Sequence, residues 1–230
     1  MSLVAAAVCP HPPLLVPEVA AGAAGELDDL RAACRAAVAH LANASVDSLI
    51  VVGSDTRTVR RAAPFGGTLS PWGIDLPVGD PSGEPLPLSL LIGAWLAPGA
   101  GSFQSVAADA TPQQCADLGR ELAGEADRVA LLVLGDGSAC RTEKAPGFFD
   151  ERAEGFDAAV ASALAGADAG ALAAVDPGTA ADLWAAGRAP WQVLAGAADR
   201  QMAGELLYDA APYGVGYFVA TWSERLATTE

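Results

Sequence analysis

Three short apolar runs stand out along the chain, at residues 3–8, 48–52 and 129–134. Each is too short for a helix and is closed by Pro or Gly within a few residues, so each predicts a buried strand. Between the first two runs the apolar period lengthens. Leu27, Leu30, Ala33, Ala37 and Leu41 recur at helical spacing within 18–42, with Asp28, Asp29, Arg31 and Arg35 on the opposite, solvent-facing side. His40 falls near the end of that helix, where a cation suits the helix dipole. Further helices are predicted over 88–96, 112–123, 150–164, 177–186 and 190–202, and further strands over 102–107 and 215–222. Thr111 is placed to cap the helix that Pro112 opens. Residues 64–87 are rich in Gly and Pro and predict a long excursion holding one short strand. Strands alternating with helices indicate a single α/β domain over 1–230, a mainly parallel central sheet with helices on both faces.

Composition narrows the functional classes. Of the 230 residues, 52% are hydrophobic, which excludes disorder, yet no apolar run reaches the length of a membrane span. The formal charge of −15 repels phosphate backbones and anionic lipid surfaces, so neither nucleic acid nor a membrane is expected as a partner. No cationic side chain precedes Arg31, which argues against a secretory signal. The four cysteines, at 9, 34, 115 and 140, form no Cys-x-x-Cys pair and read as reduced, buried thiols. A cytoplasmic protein is expected.

Candidate chemistry lies at three strand ends. His11 sits in the turn Pro10-His11-Pro12-Pro13, where the flanking prolines restrict its backbone and aim its imidazole. The loop Gly53-Ser54-Asp55-Thr56 leaves the second strand, and Gly135-Asp136-Gly137-Ser138-Ala139-Cys140-Arg141 leaves the strand at 129–134. In a doubly wound sheet such carboxyl ends converge on one crevice. His11 and Asp55 are a two-ligand set that suits Fe(II), Mn or Zn. Asp136, Ser138 and Cys140 are the candidate catalytic groups, Cys140 because Arg141 beside it could lower its thiol pKa. Structural readings stand beside these: a rigid exit turn for His11, helix caps or Asx turns for Asp55 and Asp136, and a small buried thiol for Cys140. No Walker loop, dinucleotide fingerprint or hydrolase triad can be assembled.

Taken in order, four stretches resemble the catalytic-subunit fold of the class III extradiol ring-cleavage dioxygenases, the LigB-like superfamily. They are Pro10-His11-Pro12-Pro13, Val51-Val52-Gly53-Ser54-Asp55, the 135–141 loop with Ala145-Pro146, and Gly187-Arg188-Ala189-Pro190 leading to Tyr213-Gly214-Val215-Gly216-Tyr217. The resemblance implies Fe(II) held by two histidines and a glutamate, with another histidine as acid/base. Position by position, the first ligand is present as His11. The second histidine falls at Asp55, the acid/base histidine at or beside Cys140, and the glutamate near Ala185, beside Trp184 and Ala186. This implies a divergent member with a degenerate iron centre, no ring-cleaving activity and Fe(II) bound weakly or not at all. It would keep a strand-end pocket for a small aromatic or polar ligand, and its subunits would pair into a homo-oligomer. The alternative is an enzyme of altered chemistry, a dioxygenase or hydrolase, using metal at His11 and Asp55 with help from Asp136 or Glu143, or using Cys140 as nucleophile.

Overall fold

The structure is a computed structural model that describes residues 2–61 and 63–225. The first third of the chain contains β1 (Ser2–Cys9), α1 (Pro17–Ala20), α2 (Asp28–Ala42), β2 (Ser48–Asp55) and β3 (Val59–Arg61). Three short strands follow, β4 (Phe65–Thr68), β5 (Pro77–Gly79) and β6 (Glu84–Pro85), and then α3 (Leu88–Leu96). The middle holds β7 (Ser102–Ala107), α4 (Pro112–Ala123) and β8 (Arg128–Leu134). The last part holds α5 (Arg152–Gly166), α6 (Ala169–Ala173), α7 (Pro177–Asp182), α8 (Arg188–Ala197), β9 (Met202–Ala210) and β10 (Tyr217–Glu224).

Seven strands form one sheet in the order β3-β7-β2-β8-β1-β10-β9. β7, β2, β8 and β1 pair in parallel, whereas β3 pairs antiparallel with β7, β10 with β1 and β9 with β10. The expected mainly parallel sheet is therefore corrected to a mixed one. The cause lies in the connections. Parallel strands need crossovers such as α2, α3 and α4, while the six residues between β9 and β10 permit only a hairpin. The C-terminal helix was expected to run to Met202; it ends at Ala197 and Met202 opens β9.

Both faces of the sheet are covered. Along β8, Val129, Leu131 and Val133 pack with α4, α5 and α8, while Ala130, Leu132 and Leu134 pack with α2 and α3. On β10, Phe218, Ala220 and Trp222 join the first layer and Tyr217 and Val219 the second. Two-sided burial explains why the central strands read as continuous apolar runs rather than alternating ones. The capping box that opens α4 is present, with Thr111 Oγ accepting from the Gln114 amide and Gln114 reaching back to the Thr111 amide. The 64–87 excursion folds into a separate three-stranded sheet, β5-β4-β6, where one short strand was expected. No helix among the described residues is long and apolar enough to cross a membrane.

Candidate functional site

The four parallel strands all end at the same edge, and that edge carries the polar groups. β1 leads into Pro10 and His11, β2 ends on Asp55, β7 leads into Ala108 and Asp109, and β8 leads into Gly135 and Asp136. Strand hydrogen bonding continues past β1 and β8, the Gly135 amide donating to the Cys9 carbonyl at 3.0 Å. A cleft of about 540 Å³ opens there, lined by His11, Ser54, Asp55, Thr56, Ser89 and Asp109 among others. The first turn of α3 supplies Leu88 and Ser89 to its wall, so the positive end of a nine-residue helix borders the cleft. Ser89 is buried and its hydroxyl donates to the Ser54 carbonyl at 2.7 Å. Gly53 makes this possible, because a Cβ there would lie 2.5 Å from Ser89 Oγ.

His11 is 8% exposed. Its amide donates to Asp136 Oδ1 at 2.8 Å, which anchors the turn to the end of β8. Its Nδ1 is enclosed, 3.5 Å from the same oxygen and without a hydrogen-bond partner among the described residues. That leaves Nε2 as the ring nitrogen available to the cleft. Tyr217 is buried nearby, and its phenol is pushed well above the usual range by burial and by the Asp136 charge.

Asp55 is committed differently. It lies on the end of β2 rather than in a loop, and Oδ2 accepts from Arg61 Nη2 at 3.0 Å while Oδ1 accepts the Thr56 amide at 2.7 Å. Arg61 is itself 6% exposed and is also held by Glu84 at 3.3 Å and Ser105 Oγ at 2.7 Å. Asp55 thus neutralises a buried guanidinium, although it does line the cleft with His11.

The structure does not bring Ser138 and Cys140 to this cleft. Ser138 is fully buried; its amide and hydroxyl both donate to Asp157, at 2.8 and 2.7 Å. Arg141 Nη1 donates to the same carboxylate at 3.2 Å. Burial nonetheless pushes the Asp157 carboxyl up, against the opposing effects of Ser138 and Arg141. Cys140 is 1% exposed, packed between the Gly147 and Leu183 carbonyls. Burial, then the Asp150 and Asp157 charges, push its thiol pKa up, against the lowering expected from Arg141. Glu143 is exposed and lies outside the cleft lining. Arg31, expected on a solvent face, is instead buried and donates to the Leu15 and Ala24 carbonyls and to Asp28. His40 at the end of α2 is half-buried, its Nε2 3.2 Å from the Trp222 carbonyl.

These donors do not fit an iron held by two histidines and a glutamate. His11 lines the cleft, Asp55 is engaged by Arg61, and Ala185, near which the resemblance puts the glutamate, offers no donor side chain. No group of three His, Cys, Asp or Glu side chains suited to a metal occurs among the described residues.

No known family matches the sequence, and no curated protein matches it. The fold does have solved counterparts. One is an uncharacterized protein, JW3007 from Escherichia coli K12, aligned over 96% of this chain and 99% of its own with a TM-score of 0.54 and 14% identity. At that identity the likeness shows a shared α/β fold and no more.

Proposed function

We propose that this chain is a divergent LigB-like protein, related to the class III extradiol ring-cleavage dioxygenases, without their Fe(II) centre or ring-cleaving activity. Its strand-end cleft would serve as a binding pocket for a small polar or aromatic ligand. One observation supports the loss of the metal centre: the carboxylate of Asp55, the residue that the resemblance aligns with the second metal histidine, is bound to the buried Arg61. A carboxylate that offsets a buried cation is a poor donor to a second one. A cytoplasmic, self-associating protein that binds neither nucleic acid nor membrane completes the proposal.

Metal analysis tests it. Protein purified without oxygen, loaded with Fe(II), Mn(II) or Zn(II) and desalted is expected to retain well below one metal ion per chain. Near-stoichiometric metal that disappears in His11→Ala would overturn the reading and favour the metal-dependent alternative at His11 and Asp55. That alternative draws support from the two residues lining one cleft. It would be pursued with catechol and ester substrates.

A further inference from the structure

Three arginines are deeply buried: Arg31, Arg61 and Arg188. Arg31 pairs with Asp28 at 2.8 Å, and Arg61 with Asp55 and Glu84. Arg188, 4% exposed, faces no carboxylate among the described residues. Its guanidinium donates only to neutral acceptors: the carbonyls of Ala108 and Ala110, Gln192 Oε1 at 3.1 Å and, weakly, Cys115 Sγ at 3.9 Å. Of its five N–H groups, Nε–H and one on Nη2 have no acceptor among the described residues. An arginine stays protonated at any physiological pH, and a buried charge without a counter-charge is costly. In a chain with a formal charge of −15, a cation left without a carboxylate is a specific arrangement.

Arg188 lines a pocket of about 250 Å³ together with Pro177, Ala181, Trp184, Ala185 and Ala186. The walls are apolar and the polar group is cationic. Arg188 also opens the ten-residue α8, so the positive end of that helix faces the same side. No carboxylate among the described residues lines the pocket, and the two that flank its α7 wall in sequence are committed elsewhere. Asp176 accepts from the amide and hydroxyl of Thr179 at 2.7 and 2.9 Å, and Asp182 pairs with Arg152 at 3.1 Å. Trp184 is 60% exposed and holds a φ of +57°, a left-handed conformation that disfavours large side chains. Such strain concentrates at ligand sites.

We propose that this pocket binds a small organic carboxylate with an apolar body. The carboxylate takes the free N–H groups of Arg188, and the apolar body lies against Trp184 and the alanines. The pocket shares only Ala108 with the lining of the His11 cleft, so binding at the two sites can be told apart by experiment.

Calorimetric titration of the whole chain with benzoate tests it, with benzyl alcohol as the neutral isostere and inorganic phosphate as the anion without an apolar body. Benzoate is expected to bind saturably and at least tenfold more tightly than either, since a charge-assisted bidentate contact exceeds the 1.4 kcal/mol that a factor of ten represents. Ala181 is exposed on α7, so Ala181→Asp adds a like charge at the pocket without disturbing the core. It is expected to weaken benzoate at least tenfold with an unchanged melting temperature. Trp184→Ala should weaken it severalfold, and His11→Ala should leave it unchanged. Arg188→Gln strips donors from two backbone carbonyls and is expected to lower stability, so Ala181→Asp carries the test. No saturable benzoate binding would overturn the proposal. So would equal affinity for benzyl alcohol or phosphate, indifference to Ala181→Asp, or loss of binding in His11→Ala.

Discussion

Asp55 and Arg61 illustrate how a residue's role is decided by what it touches. A carboxylate at a strand end facing a cleft suits a metal, but the same carboxylate is what keeps Arg61 from being a buried, uncompensated cation. Removing one member of a buried ion pair is strongly destabilising, and Asp55 is partly exposed while Glu84 remains near Arg61. Asp55→Ala is therefore expected to lower unfolding free energy by about 2 kcal/mol in urea, and the double variant with Arg61→Leu by less than the sum of the two single changes. A cost near zero for Asp55→Ala would mean that the pair is not structural. Cysteine chemistry is tested as simply. All four thiols are buried; the Cys34 contact and burial hold Cys9 far above its ordinary pKa, and burial raises Cys115 and Cys140. A disulfide reagent at mildly alkaline pH should label none of them in the native protein and all four after denaturation. Rapid native labelling of Cys140 would restore it as a candidate nucleophile.

At the scale of elements, α4 and α8 meet through backbone. A Cβ on Gly119 would lie 2.6 Å from the Ala197 amide nitrogen and against the Val193 carbonyl; one on Gly196 would lie 2.5 Å from Ala116 Cα. Gly119→Ala is expected to destabilise by about 1–3 kcal/mol, despite the better helix propensity of alanine, because the helices must separate to admit the methyl. Chemical denaturation reads the difference, and a stabilised variant would show that the helices do not cross so closely. The start of α5 adds a pH dependence. The guanidinium and amide of Arg152 hold the Asp150 carboxyl at about 2, below its ordinary 3.8. A depressed folded pKa contributes stability fully above the ordinary value, and that contribution is lost as pH falls from 3.8 to about 2. Arg152→Gln should flatten the acid limb of the stability curve across that window and change little at neutral pH beyond a constant offset. Salt should shrink the effect, since the pair is exposed.

The whole molecule carries a formal charge of −15, which opposes compaction by self-repulsion. Its melting temperature should therefore rise when monovalent salt increases from about 10 mM to about 150 mM, where screening acts over about 8 Å; a fall would mean that surface ion pairs outweigh the repulsion. At this scale the division between sequence and structure is plain. Local chemistry by itself determined the three buried central strands, the Thr111 cap and the convergence of His11, Asp55 and Asp136 on one edge, because continuous apolar runs, caps and strand-end turns are written within a few residues of one another. It also led to His11 and Asp55 lining one cleft. What only the tertiary structure decided depends on neighbours distant in sequence. β9 has a half-buried edge-strand pattern with little alternation, and its ladder exists because β10 lies beside it. The antiparallel flanks of the sheet follow from pairing rather than from periodicity. The burial of Arg31, Arg61 and Arg188 was not legible either, since an arginine reads as solvent-facing until carbonyls and carboxylates from other elements close around it. Packing likewise placed Ser138 and Cys140 inside the molecule, because burial is a property of the layers laid over a loop and not of the loop's own residues.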